Sequence, residues 1–306
     1  MVKMKSSFLA HGKVILIGEH SVVYGYDALA MPITALHIKT TVEETDGPVY
    51  MNTAHYHGPL FDAPANYDGL KYVVKTMMDK ASSTDNVKIT YTGEIPMERG
   101  FGSSATVALG TVKAMDNYYK LNLSNSEIMD ITNHAEMINH GKASGLDAAT
   151  VSSDYLVFFN KEIGPQKLQA KLGATLLIMD TGELGNTKEA VTMVRHQLDE
   201  SVEANKKIER LGKLADNFKA AWIKQDKKTA GKIFNDAEEI LASFGLATDK
   251  IDQLKTIALA NGALGFKFSG GGLGGIVIAI CDNREIAQQI ADKSKDLISN
   301  YWIEEV

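Results

Sequence analysis

Cysteine is almost absent from this sequence: Cys281 stands alone among 306 residues. A disulfide framework is therefore excluded, and a reducing compartment, the cytoplasm, is expected. No apolar run approaches the ~20 residues that a membrane span needs, so no membrane partner is expected. The opening residues MVKMKSSFLAHG contain no apolar stretch of the kind a secretory signal uses, and none is expected. Positive charge is not in excess. The net charge is −6, which argues against a nucleic-acid partner because such proteins need a basic face. A small anionic ligand stays allowed, since a few local lysines or amides can hold one. Internal repeats and low-complexity tracts are also missing.

What is present is a globular composition, 44% hydrophobic and 23% charged. A chain this long carries more than one core usually holds, so two domains are expected. The first hundred residues read mainly as strands. Leu36, Ile38, Thr40 and Val42 alternate on one face, as do Val87, Ile89 and Tyr91. The period then changes. Ala108, Val112, Met115 and Tyr119 recur at helical spacing. Ser124 and Glu127 form a capping box that opens a second helix, with the stripe Ile128, Ile131, Ala135, Ile138 and a stop at Gly141. The segments YLVFFN and ATLLIMDTG read as strands, 188–246 as mostly helical, and REIAQQIADKSKDLI as a last helix. These features predict α+β halves, 1–165 and 166–306. Cys281, inside the apolar run GGIVIAIC, reads as a small buried strand residue.

Two glycine-rich segments stand out. GEIPMERGFGSSATVALG runs strand, glycine turn, Ser-Ser, helix. Glycines admit close backbone approach, and a helix N-terminus attracts an anion, so the chemistry suited is phosphate binding. A plain strand-to-helix turn capped by Ser103 or Ser104 explains the same residues, and both readings stay open here. A Walker A loop is excluded, because Gly-Lys-Ser/Thr occurs nowhere in the chain. The second segment, SGGGLGG, formally satisfies G-x-G-x-x-G at Gly270, Gly272 and Gly275. It opens IVIAIC, which has strand composition, so a dinucleotide fold is rejected. The run connects two strands, and its glycine content favours close approach to something.

The ionisable candidates are Lys13, Glu19 and His20 around the apolar run Val14–Ile17, and Glu136, His140 and Asp147 in HAEMINHGKASGLDAAT. Taken singly, each has a bland reading. Lys13 reads as a strand-edge charge and His20 as a hydrogen-bonded histidine. Glu136 reads as solvated and away from the apolar stripe, and Asp147 as a cap.

Taken together, the segments resemble the three motifs of the GHMP small-molecule kinases. GKVILIGEHSVVYG is similar to the first, and its continuation Ser21–Gly25 is the form found in members that phosphorylate mevalonate. Pro96 followed by Gly100-Phe101-Gly102-Ser103-Ser104 resembles the second, and Lys267, Ser269 and Gly270 to Gly275 the third. Phe101 stands where Leu is usual, Leu273 interrupts the glycine run, and Ala143 stands where Pro is frequent.

The resemblance implies an α+β fold. Its N-terminal domain would be like domain 2 of ribosomal protein S5 and its C-terminal domain ferredoxin-like, with the active site in the cleft between them. It also implies transfer of the ATP γ-phosphoryl group to the primary hydroxyl of mevalonate. Asp147 and Lys13 become the catalytic pair. Glu98, Arg99, Gly100, Phe101, Gly102, Ser103 and Ser104 become the ATP loop, and Ser104 with Glu136 the Mg²⁺ ligands. Glu19, His20 and Thr181 become substrate contacts. A sharp turn at Gly18, bringing His20 back toward Lys13, is then required. A relative acting on phosphomevalonate or mevalonate diphosphate, or a non-catalytic ATP or metabolite sensor, is the alternative. A homodimer is allowed, and the oligomeric state is left open.

Overall fold

A computed structural model describes residues 4–96, 99–141 and 144–306. Glu98 and Ala143, both singled out above, lie outside the described residues. By contact the chain separates into two interleaved units. One comprises 1–13, 32–97 and 102–154, the other 14–31, 98–101 and 155–306.

In the first unit a sheet is covered by helices. Its strands are β1 (Lys5–Ile17) up to Lys13, β2 (Ala28–Glu44) from Pro32, β3 (Tyr50–Asn52), β4 (His57–Pro59) and β5 (Val87–Gly93). The sheet order is β4-β3-β5-β2, with β1 on β2. The alternation seen in the sequence is the alternation of the pleat. Leu36, Ile38, Thr40 and Val42 are all buried, and Val42 sits opposite Ile89 on β5. The covering helices are α1 (Asp68–Lys80), α2 (Ser103–Tyr119), α3 (Asn125–His140) and the short α4 (Leu146–Val151). Their apolar faces close one core with the sheet. Val73, Met77, Val112, Met115, Ile128 and Ile131 belong to it. The capping box at Ser124 and Glu127 forms with both hydrogen bonds, and Gly141 ends α3 in the left-handed conformation.

The second unit holds the start of β2, whose Ala28–Ala30 pair with β6 (Leu156–Asn160). β6 in turn pairs with β7 (Gly164–Leu168). Its larger sheet contains β8 (Thr175–Asp180), β9 (Gly265–Ser269), β10 (Ile276–Cys281) and β11 (Asn300–Glu305), ordered β11-β8-β10-β9 and antiparallel throughout. Between β8 and β9 lie α5 (Thr187–Glu200), α6 (Val202–Ile223), α7 (Lys227–Ala242) and α8 (Asp249–Ala260). Helix α9 (Arg284–Ser294) joins β10 to β11. This is the β-α-β-β-α-β scheme of a ferredoxin-like fold, with an enlarged first crossover.

Several sequence expectations need correction. α1 was not expected among the early strands, although Leu70, Val73, Val74 and Met77 mark a helical stripe. α8 and β11 were also missed. β11 has only half-buried side chains at its centre, so neither period stands out. Ile138 is 41% exposed, so the α3 stripe ends before it. Ser103 and Ser104 do not cap α2. The cap position is Gly102, and no side-chain cap bond is made there. No described helix is long and apolar enough to cross a membrane.

Candidate active site

In the first unit, four of the expected residues come together. Lys13 lies in β1, where a long side chain can run inward while its backbone stays in the sheet. It is almost fully buried, and its Nζ is 3.0 Å from Asp147 Oδ1. Asp147 sits in the first turn of α4, behind the left-handed Gly145, and makes no cap bond. The capping alternative for Asp147 is therefore replaced by an ion pair with a buried ammonium. The Asp147 side chain keeps 36% exposure, so a ligand can reach it.

Gly102 is what lets the α2 N-terminus approach Lys13. Its φ is +70°, and a Cβ there would lie 2.8 Å from Lys13 Cε. Two residues on, Ser104 Oγ donates to Glu136 Oε1 at 2.5 Å and accepts from Asn139 Nδ2 at 2.9 Å. Glu136 is buried, contrary to the solvated reading. It lies four residues after buried Thr132 and eight after buried Ile128, a row on the inner face of α3. Burial pushes its carboxyl up to about 7. The Ser104 hydroxyl opposes that shift, Asp147 adds to it and Lys13 opposes it. Ser104 and Glu136 are both hard-oxygen donors, which suits Mg²⁺. Among the described residues no group of three or more His, Cys, Asp or Glu could hold a metal ion. Mg²⁺ bound by one or two protein oxygens, with phosphate and water completing its shell, is the usual arrangement at nucleotides.

In the second unit the rest of the GEH segment is fixed. Gly18 has φ +103° and His20 φ +60°, and the Val22 amide donates to Gly18 O, so the chain turns at Gly18 after β1. The buried Glu19 forms an ion pair with the fully buried Lys267 of β9, and the Lys267 ammonium also donates to the carbonyl of Phe268 at 2.6 Å. Glu19 is thus engaged by the protein itself. His20 Nε2 lies 2.9 Å from the carbonyl of Gly271, which can only accept, so this nitrogen carries the proton. Burial, together with the Lys267 ammonium, holds His20 below the usual imidazole range, against the pull of that hydrogen bond. The neutral ring keeps Nδ1 as an acceptor.

The glycine run joins β9 to β10 as a strand-to-strand turn, and what approaches it closely is backbone. A Cβ on Gly275 would lie 2.8 Å from the Arg99 carbonyl. Gly275 also donates to Glu183 O and accepts from Thr181 N, and Leu273 donates to Leu246 O. Of the described residues expected in the ATP loop, Arg99, Gly100 and Phe101 lie in this unit. Phe101 packs edge-on against Trp302, with centroids 5.0 Å apart. The Arg99 guanidinium is 3.6 Å from Asp180. Thr181 donates its hydroxyl to Gly275 O at 2.7 Å. Lys267 as a partner for Glu19, Glu238 on α7 and Asn139 on Ser104 were not anticipated. Glu238 could have been found, because it lies four residues after Phe234 and three before Leu241, on the buried face of α7.

Models of the GHMP kinases N terminal domain and the GHMP kinases C terminal match residues 69–154 and 202–297. The mevalonate kinase of Pyrococcus furiosus is 31% identical over 94% of this chain and 93% of its own length. The chain belongs to the GHMP kinase family. Members of this family are phosphotransferases, and this chain is a kinase of that kind. Among solved structures, the mevalonate kinase of methicillin-resistant Staphylococcus aureus MRSA252 is 28% identical with a TM-score of 0.73, covering 99% of each chain. The L. major mevalonate kinase, solved in complex with R-mevalonate, is 22% identical with a TM-score of 0.81, covering 99% of this chain and 96% of that one. The latter likeness bears on the fold alone.

Proposed function

We propose that this GHMP kinase is a mevalonate kinase, transferring the γ-phosphoryl group of ATP to the primary hydroxyl of mevalonate to give 5-phosphomevalonate and ADP. The observation that carries the reading is the Lys13–Asp147 ion pair set beside Ser104 and Glu136, in a chain whose near-full-length relatives bear that name.

Phosphoryl transfer asks a protein mainly for positioning and charge neutralisation. Asp147 takes the proton from the attacking hydroxyl, and the Lys13 ammonium balances charge at the transferred group. Gly100, Phe101, Gly102 and Ser103, with Arg99 and Glu98 before them, form the loop that receives the ATP phosphates. The free amides at the start of α2 supply donors there. Ser104 and Glu136 would hold Mg²⁺, which would supply neutralisation of phosphate charge there. His20 orients mevalonate through its ring, Glu19 through the turn that it anchors, and Thr181 is a further substrate contact. The reading includes a cytoplasmic location, which fits the single cysteine.

The test is ADP release with mevalonate, phosphomevalonate, galactose and homoserine offered separately. Release with mevalonate well above the other three is expected. ATP binding without release on any of them would point to a sensor, and preference for phosphomevalonate to a neighbouring activity of the family.

A further inference from the structure

The second unit contains a buried charge array with one member that the reaction has not used. β9 is an edge strand of its sheet, so Phe266 and Phe268 turn backbone groups away from β10. Helix α7 covers that edge. Asn235 Oδ1 accepts from the Phe266 amide at 3.0 Å, and Glu238 Oε2 accepts from the Phe268 amide at 2.9 Å. A neutral amide meets the need at Phe266. At Phe268 the same need is met by a carboxylic acid that is fully buried, and whose second oxygen, Oε1, has no hydrogen-bond partner. The carbonyl of this same Phe268 takes the Lys267 ammonium, which also holds Glu19.

We propose that Glu238 is a positioning residue for the substrate turn Gly18–Ser21, acting through Phe268 and Lys267 on Glu19 and His20. The charged groups around Glu238 are Lys267 from β9, Lys255 from α8 and Glu19 from the turn. Burial dominates and pushes the carboxyl up to about 7. With Glu238 protonated, the Lys267 ammonium serves Glu19 alone. With Glu238 ionised, two carboxylates draw on one ammonium, and the hold on Glu19 weakens. His20, held below the usual imidazole range, titrates at lower pH and is a separate event. The inference rests on mevalonate being the ligand that His20 orients.

The experiment compares wild type with Glu238→Gln, which keeps an acceptor for the Phe268 amide but does not titrate. KM for mevalonate, KM for ATP and kcat are measured from pH 6 to 8.5. In the wild type, KM for mevalonate rises about threefold or more across pH 7 while KM for ATP does not. In Glu238→Gln the rise is gone. A flat wild-type profile, or the same rise in the variant, overturns the proposal. A second measurement needs no substrate. A carboxyl raised in the folded state gives stability that is present below its unfolded pKa and lost as pH rises through about 7. The melting temperature of Glu238→Gln relative to wild type must therefore increase from pH 5 to pH 8. A constant difference overturns the proposal. Absence of ADP release with mevalonate in the wild type would instead strike the substrate assignment, and the melting comparison would still decide the ionisation of Glu238.

Discussion

Lys13 and Gly102 show how little room the first cluster has. The Lys13 stem fills the space that a side chain at Gly102 would take, and the backbone there is left-handed. Gly102→Ala is expected to cut kcat by at least tenfold, with the fold retained by circular dichroism; wild-type kcat would show that the close approach does not matter. Glu136 gives a prediction of another kind. Glu136→Gln keeps the shape and removes the charge, so the Mg²⁺ concentration for half-maximal rate should rise by roughly tenfold, the scale on which single ligand-shell changes act. An unchanged Mg²⁺ dependence would remove Glu136 as a ligand. The candidate chemistry residues were legible individually in the sequence, but their burial was not. In the sequence Glu136 lies away from the stripe Ile128, Ile131, Ala135 and Ile138, which makes it look solvated. Thr132, buried and bonded to Ile128 O, widens that face to include Glu136. Asp147 resembled a cap because its neighbours in sequence give no hint of Lys13, more than a hundred residues away.

Among the elements, the strands and the capped helices were readable wherever local chemistry and burial agree. Ser124 and Glu127 are such a case. Ser124→Ala should lower stability by about 1 kcal/mol without affecting KM for either substrate; an equilibrium denaturation curve coincident with wild type would contradict that. The glycine hairpin between β9 and β10 was readable as a turn but not in its purpose. Its glycines accommodate Arg99, Leu246 and Glu183 backbone atoms from distant parts of the chain, and no local pattern carries that information. β11 was invisible for the opposite reason: its residues gain strand character from pairing with β8, not from their own alternation.

At the scale of the whole molecule, the order β11-β8-β10-β9 follows from connections that the sequence hides, because four helices intervene between β8 and β9. Cys281 reports on that sheet. It ends β10, is fully buried, and its thiol is pushed up to about 12 by burial. It should resist alkylation at pH 8 in the native protein and react at the rate of unfolding; fast labelling under native conditions would mean that β10 opens on its own. The central claim concerns the first unit, that Lys13 and Asp147 carry phosphoryl transfer to mevalonate. It is tested most directly by Asp147→Asn, assayed for ADP release with mevalonate and for ATP binding by calorimetry. The account predicts a loss of about a thousandfold or more in kcat, with the ATP dissociation constant changed less than about fivefold. Near-normal turnover in that variant would contradict it.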